Sequence, residues 1–430
     1  MTVKYVAEIR DPVHGYIKIT KLEHELIDSL FVQRLRRIHQ LAGAYMVYPG
    51  GVHTRFEHVL GTMHVAGLIG ESIANEAGLT TEDIQELRIA ALLHDVGHGP
   101  FSHLFEEVLA EKTDVTHEDN SQRIVLESNI SDILAKNGFS ARRISKLCVG
   151  KMDGRPFMNE AIAGGLSADM MDYLLRDAYF TGVEYGKVDI HRVIDSLGVN
   201  EGHLALNRAA LYAFEALLIA RYEMFKAVYF HRTVRAAELM LAHSMALADD
   251  ELQLTNLKKI ERILRLTDEV VLQELAELDA TKSELKLAKR LAEDYLGRKL
   301  VKCVFERVIE RKDRTIQKIF SQKSMREELA SKIARTAGVK EADVYIDVSN
   351  TPSVPYTYER HAFSSLTLFS ESLQEKKIET LALSELPLVG SIGGFVDVLR
   401  IYTVANHRGK VSSAIQSIFG KDEFMYRISV

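Results

Sequence analysis

The sequence predicts a mostly α-helical protein with a short N-terminal β element and a smaller C-terminal α+β segment. Three observations carry this reading. Apolar residues recur at helical spacing over long stretches, only seven prolines interrupt 430 residues, and alternating strand-like runs appear after Gly338. Residues 3–19 read as extended around a turn at Asp11-Pro12-Val13-His14-Gly15. Helices are expected near 22–42, 55–77, 81–95, 101–112, 117–128, 140–149 and 168–179. Thr80-Thr81-Glu82-Asp83 opens the third with a capping-box pattern. Gly99-Pro100 opens the fourth, where a first helical turn tolerates proline. A long helix is expected over 206–247, and amphipathic helices recur through 257–336. Beyond Gly338, Asp343 to Val348 and Phe395 to Tyr402 read as strands. The chain thus divides into a helical domain, 1–337, and an α+β segment, 338–430. No repeat or low-complexity tract interrupts it. The basic stretch from Lys282 to Lys318 is interleaved with Glu and Leu, as on a solvated helix face.

Composition narrows the function classes. A hydrophobic content of 47% with 27% charged residues is that of a soluble globular protein with ample core. The net charge of −6 argues against generic nucleic-acid binding, which calls for a basic surface. Cys148 and Cys303 are the only cysteines, so no disulfide framework exists and a reducing, cytoplasmic location is expected. The N-terminal residues lack the apolar region of a signal peptide, and no apolar run reaches the ~18 residues of a membrane span.

His94-Asp95, running into Val96-Gly97-His98-Gly99-Pro100-Phe101-Ser102-His103, concentrates three imidazoles and a carboxylate around a glycine turn. Metal-assisted chemistry at a phosphate would use nearly all of them. Two further segments offer metal-ligand chemistry: His53-Thr54-Arg55-Phe56-Glu57-His58, and Ser167 through Asp177. In the latter, Asp169, Tyr173 and Asp177 are spaced i, i+4, i+8 along one helical face. Each piece alone has a structural explanation: His58 as a hydrogen-bonded helix histidine, Asp169 as a helix N-terminal acid, His94-Asp95 as a helix end. Together, two imidazoles and two carboxylates form a mixed N/O donor set suited to Mn, Fe, Mg or Zn. Without thiolates, a structural zinc cage is disfavoured. A helix N-terminus after Gly99-Pro100 offers N–H groups and a positive dipole to an anion. A histidine titrating near neutrality can donate a proton there, and Glu106, one turn beyond His103, is placed to orient it.

These motifs resemble the HD-domain phosphohydrolases, named for the adjacent His-Asp pair. Among them the resemblance is strongest to deoxynucleoside triphosphate triphosphohydrolases (dNTPases) of the sterile-alpha-motif/HD type, here without the sterile-alpha-motif domain. It rests on Asp11 to Gly15, Phe31 to Arg36, Arg55 to His58, His94 to His103, Thr116-His117-Glu118 and Asp169 to Asp177, in order, across about residues 8–235. The resemblance implies a multi-helix HD core with His58, His94, Asp95 and Asp169 as ligands of a divalent metal. It places Arg55 on the triphosphate, His98, His103 and His117 around the phosphates, and His103 as the acid for the leaving 5′ oxygen. Tyr173 and Asp177 would hold the sugar, with Asp177 accepting from the 3′-hydroxyl. Gln40 and Leu41 would face the base and the 2′ side, where an apolar group rejects a ribose. Tyr229, His231, Arg232 and Arg235 match a later phosphate- and sugar-contacting segment. Asp28, Gln33 and Arg36 coincide with an activating site for GTP or dGTP between subunits, which implies a homo-oligomer, a dimer or tetramer. Two departures stand out: Ala7 replaces a basic residue before the Asp-Pro turn, and Phe214 to Ala220 lack the basic residues of a second, adjacent nucleotide site.

The implied activity is hydrolysis of dNTP to deoxynucleoside and tripolyphosphate. Two alternatives are an HD phosphohydrolase or phosphodiesterase of another nucleotide, and a nucleotide-sensing protein with a dormant site. Tyr173, Asp177 and the additional histidines favour the first reading.

Overall fold

The computed structural model describes residues 3–309, 322–348, 365–371, 376–386, 388–389 and 397–420. It is mostly helical, with an N-terminal hairpin and small C-terminal sheets. Strands β1 (Ala7–Asp11) and β2 (Gly15–Ile19) pair antiparallel across the expected turn. Asp11 Oδ1 closes that turn by accepting the amides of Val13 and His14 at 2.9 and 2.8 Å.

The single helix expected over 22–42 does not form. Helix α1 (Lys21–Ile27) stops at Asp28, Ser29 turns extended, and α2 (Leu30–Arg34) passes into a 3-10 turn ending at Arg37. Leu22, Leu26, Ile27, Phe31, Val32, Leu35 and Ile38 are all buried. The apolar period therefore runs through the break, which is why sequence spacing alone joins the pieces.

Helix α3 (Arg55–Ala77) starts with a capping box between Thr54 and Glu57 and ends at Gly78, whose φ of +62° is left-handed. Helix α4 (Thr81–Leu93) uses the expected Thr80–Asp83 box and ends at His94. The next helix, α5 (His103–Lys112), begins after Gly99-Pro100 rather than at them. Phe101 and Ser102 intervene with φ of +59° and +58°. Each such non-glycine conformation costs on the order of 1–2 kcal/mol and persists only where its surroundings hold it. Helices α6 (His117–Glu127), α7 (Asn129–Lys136), α8 (Ala141–Cys148), α9 (Pro156–Ile162), α10 (Ala168–Thr181) and α11 (Ile190–Ile194) follow, of which α7, α9 and α11 were not anticipated. A short antiparallel pair, β3 (Leu197–Asn200) and β4 (His203–Asn207), was also missed.

The long helix expected over 206–247 is interrupted. Helix α12 (Leu211–Met224) gives way to a π-helical turn at Phe225–Tyr229, and α13 (Arg232–Leu252) restarts with the His231 side chain accepting the Thr233 amide. Within 257–336, α14 (Asp268–Ala276) and α15 (Ser283–Leu296) are helical, but Lys302–Ile309 is strand β5. The basic stretch thus shows a solvated helix face in α15 only, and its residues 310–318 lie outside the described ones. Strand β6 (Val344–Val348) forms as expected. The strand expected over 395–402 is described as Asp397–Thr403; Phe395 and Val396 lie outside the described residues.

The chain forms two compact units, so position 338 falls inside the second rather than at a boundary. The first comprises Met1–Met224, Leu254–Val271 and Val354–Gly390; the second comprises Phe225–Gln253, Leu272–Ser353 and Ser391–Val430. In the second, the β5 and β6 strands flank Asp397–Thr403, and helices Lys323–Ala337 and Arg408–Phe419 share a buried cluster with the sheet around Ile333, Ile401 and Val411. In the first, α3 packs on α4 and α10. Gly61 permits the α10 contact, since a Cβ there would overlap the buried Asp172 carboxylate and Arg176 guanidinium. Among the described residues no helix is long and apolar enough to cross a membrane.

Gly61→Ala should force that buried pair apart and cost about 3 kcal/mol or more of unfolding free energy. Urea unfolding checks this; a loss within the range of an ordinary surface substitution would show that the pair has room to move.

Candidate functional site

Three helix ends bring the first cluster together. His58 comes from the start of α3, His94 and Asp95 from the end of α4, and Asp169 from the start of α10. His58 Nε2 lies 3.2 Å from Asp169 Oδ1 and 3.6 Å from Asp95 Oδ2. His94 Nε2 lies 3.2 Å from Asp95 Oδ1 and 3.8 Å from Asp169 Oδ1. Two ligands each about 2.1 Å from one ion sit roughly 3.0–3.5 Å apart, so these separations suit a shared divalent metal.

The tautomers suit it as well. His58 Nδ1–H donates to Asp172 Oδ2 at 2.8 Å, and His94 Nδ1–H donates to the Ala91 carbonyl at 2.7 Å. Both rings thereby direct Nε2 toward the carboxylates, and the buried His94 Nε2 makes no hydrogen bond. Burial would push the His58 pKa down, but Asp169 and Asp172 outweigh it and lift it to about 10. Burial would raise the carboxyl of Asp95, yet Arg55, then His94 and His98, hold it well below the usual range. Asp169 is likewise lowered against burial by His58 and His94. The cluster thus interleaves ionised carboxylates with imidazole nitrogens, a mixed nitrogen and oxygen donor set of the kind a divalent ion takes.

A second cluster adjoins it. Glu106 accepts from His103 Nδ1 at 2.8 Å and from the His117 amide at 3.1 Å, and forms a short bond with His117 Nδ1. The His117 ring stacks on His98 at 3.9 Å, and His98 Nε2 lies 3.3 Å from Asp95 Oδ1. His98 is buried with Nδ1 unpartnered. Burial, with the charges of Arg55 and His117, pushes the His98 pKa well down. Burial opposes protonation of His117 too, but Glu106 reverses the balance and raises it. The stacked pair therefore joins a neutral imidazole to a charged one, while His103 stands exposed at the rim.

Arg55 is buried, bonded through Nη1 to Asp95 and through Nε to Ser102 Oγ at 2.8 Å. Tyr173 receives a hydrogen bond from Arg221 of α12, a residue sequence reasoning missed because no local spacing links positions 48 apart. Asp177 is buried and bonded to His53 Nε2 at 2.7 Å, with His53 stacked on Phe180. His53 was also missed as a partner, although it sits two residues before Arg55. Gln40 has a buried Oε1 without a hydrogen-bond partner, and Leu41 is half-buried.

Tyr229, His231, Arg232 and Arg235 belong to the second unit. There Arg235 pairs with Asp347 at 2.8 Å and Glu238 at 2.8 Å, and the Arg232 carbonyl accepts from Tyr402. Asp28, Gln33 and Arg36 do not share one helix face. Asp28 ends α1, while Gln33 binds the Ile27 carbonyl and accepts from Arg36, whose guanidinium lies 3.5 Å from the centre of the Phe56 ring. The helix break at Ser29 separates Asp28 from Gln33 and Arg36.

The largest omission from the sequence reading is the support beneath His58. Asp172 accepts from His14 Nε2 at 2.6 Å and from Arg176 Nε and Nη2 at 2.9 and 2.8 Å, besides His58. Arg176 Nη1 continues to Asp11 at 2.8 Å. Asp172 and Arg176 are i, i+4, and Asp11 and His14 share the first turn, so both signals existed separately. Nothing in the sequence joined them.

Residues 55–174 match the HD domain and residues 188–369 the HD-associated region. An uncharacterized protein of Methanocaldococcus jannaschii is 38% identical over 241 residues, covering 55% of this chain and 49% of its own length. The deoxynucleoside triphosphate triphosphohydrolase SAMHD1 homolog of Dictyostelium discoideum is 28% identical over 355 residues, 79% of this chain and 66% of that protein. The crystal structure of a hypothetical protein from Aquifex aeolicus superposes with a TM-score of 0.74 at 29% identity, covering 95% of this chain and 99% of that one. The matches span about half to two thirds of the length of the curated relatives.

Asp172→Asn removes the charge that fixes His58, and metal affinity should weaken roughly 10–100-fold. Calorimetric titration with Mn checks it; unchanged affinity in a folded variant would rule out the support role. The Glu106–His117 pair predicts a pH signature. Its depressed Glu106 value makes its contribution complete above about pH 4.3, and the raised His117 value makes it complete below about pH 6.5. It is lost as pH rises through the His117 value in the folded protein. The stability difference between wild type and Glu106→Gln should thus be larger at pH 6 than at pH 9; equal differences would contradict the pairing.

Proposed function

We propose that this chain, which belongs to the HD-domain proteins and carries an HD-associated region, is a metal-dependent phosphohydrolase that converts dNTP to deoxynucleoside and tripolyphosphate. The observation that carries the reading is the adjacency of two clusters, a His58/His94/Asp95/Asp169 donor set and a His98/His103/Glu106/His117 group. Similarity to the Dictyostelium dNTPase homolog supports the choice of substrate.

A divalent ion held by His58, His94, Asp95 and Asp169, whether Mn, Fe, Mg or Zn, would supply Lewis acidity toward a phosphate oxygen and toward water. The remaining steps belong to the protein. Charged His117, fixed by Glu106, would attract the phosphates, and neutral His98 would offer them a hydrogen bond. His103, held by the other Glu106 oxygen, would protonate the departing 5′ oxygen. Arg55, anchored at two nitrogens, would present a guanidinium of fixed orientation to the triphosphate. Arg221 beside Tyr173 would add a second cation, and Asp177 would take the 3′-hydroxyl in place of part of its bond to His53. The orphaned Gln40 Oε1 suits a hydrogen bond to a base, with Leu41 against the 2′ face. GTP or dGTP would bind at Asp28, Gln33 and Arg36 of neighbouring copies, making the working form a homo-oligomer.

The test is incubation with each dNTP and Mn or Mg, with and without GTP, followed by analysis of both products. Deoxynucleoside with tripolyphosphate is expected, and His94→Ala or Asp95→Ala should lower the rate at least about a thousandfold, because several kcal/mol of charge stabilisation disappear. Formation of dNMP and pyrophosphate would overturn the cleavage position. Absence of turnover with any metal would overturn the activity.

A further inference from the structure

We infer that Asp268 is a positioning residue for this site: its carboxylate clamps the Phe101–Ser102 turn and, through His39 and Ser102, fixes Arg55 and the start of the helix bearing His103. The inference rests on the proposed reading of Arg55 and His103 as substrate-facing groups. Asp268 is distant in sequence and belongs to the stretch matched by the HD-associated region. It is buried, and every oxygen it offers is engaged. Oδ1 accepts the Phe101 amide at 2.7 Å. Oδ2 accepts both the His39 amide at 2.9 Å and His39 Nδ1 at 2.8 Å.

From His39 the connection runs in two directions. Its carbonyl accepts the Ser102 hydroxyl at 2.6 Å, and Ser102 Oγ in turn accepts Arg55 Nε at 2.8 Å. On its other side, His39 bridges to Thr54, and the Arg55 amide donates to the Ile38 carbonyl at 2.9 Å. The circuit closes on Arg55 from both its backbone and its side chain. With Nε on Ser102 and Nη1 on Asp95, the plane of the guanidinium is set. A second anchor comes from the same segment: the Leu266 carbonyl accepts Arg34 Nε and Nη2 at 3.1 and 2.9 Å, and Arg34 Nη2 also donates to the His98 carbonyl at 2.7 Å.

The left-handed conformations at 101 and 102 give this clamp its purpose. Glycine would adopt them without strain, but glycine has neither the buried ring of Phe101 nor the hydroxyl that reaches Arg55. The turn keeps functional side chains in an unfavourable backbone geometry, and Asp268 is the group that compensates its amide. The HD-associated region would thus take part in catalysis by holding the HD domain's phosphate-facing turn in shape.

The experiment is Asp268→Asn in the full chain, where the amide NH2 would confront the His39 donors. Hydrogen exchange at residues 99–105 should accelerate at least about tenfold, while α3 beyond residue 60 keeps its protection. Mn affinity should be unchanged, kcat for dNTP hydrolysis should fall about tenfold or more, and KM should stay within about threefold. Unchanged exchange at 99–105 overturns the clamp whether or not the wild type hydrolyses dNTPs, so its failure is separable from failure of the activity. Unchanged kcat in an active enzyme overturns the positioning role. Ser102→Ala cuts only the last link and covers the case of a variant that does not fold; it should show the same loss of kcat, and an unaffected kcat counts against the inference. In the double variant, kcat should fall no further than in the worse single one, while losses in Tm add. Additive losses in kcat would show that Asp268 does not act through Ser102.

Discussion

The carboxylate of Asp172 is the interaction on which the rest of the site depends. It is wholly buried, where an unpaired charge would be very costly, and four nitrogens from three elements answer it. His14 ties it to the N-terminal hairpin, His58 to α3, and Arg176 to the next turn of its own helix. Arg176 is just as buried and needs its second carboxylate, Asp11, which also shapes the hairpin turn. A charge of either sign removed from this chain strands the other. That interdependence fixes how α3 and α10 meet, and therefore where His58 and Asp169 point. Gly61 is the steric half of the same constraint, because only a residue without Cβ leaves room for the pair.

A comparable constraint shapes the second cluster. A Cβ at Gly97 would overlap the His117 carbonyl and the Ser121 backbone, and one at Gly99 would overlap the Phe105 ring. These glycines let the start of α6 and the body of α5 close on the turn after His94. That approach stacks His117 on His98 and brings Glu106 within reach of two imidazoles. The glycines between the histidines thus act as spacers set by packing rather than as flexible joints.

This explains what was legible in the sequence. Residues that act within a few positions of each other announced themselves: the His94-Asp95 pair, the Asp169/Tyr173/Asp177 stripe, His103 with Glu106. Capping at Thr80 and the turn at Asp11 were equally local. Helix continuity was overread at Ser29 and across Phe225–Tyr229, because buried apolar residues keep their period through a break. Contacts between distant segments left no periodic trace. Asp172 with His14, Asp177 with His53, Tyr173 with Arg221 and Asp268 with Phe101 each depend on the finished fold.

The charge balance around His58 gives these contacts a common sense. Asp11, Asp95, Asp169 and Asp172 form one connected set with Arg55 and Arg176. Four carboxylates face two guanidiniums; the protonated His58 ring makes up part of the difference, and a divalent ion that took the place of its Nε2 proton would match the two remaining charges. The difference is also localised: Arg176 serves the Asp11/Asp172 side, Arg55 touches only one oxygen of Asp95, and Asp169 has no guanidinium partner among the described contacts. The uncompensated potential therefore lies where His58 and His94 aim their Nε2 atoms. On the far side of Asp95 the sign reverses, with Arg55 and charged His117 around neutral His98. A phosphate bridging the two sides would meet cationic groups from the protein on one flank and the metal's charge on the other, a polarity that a neutral or cationic ligand could not exploit.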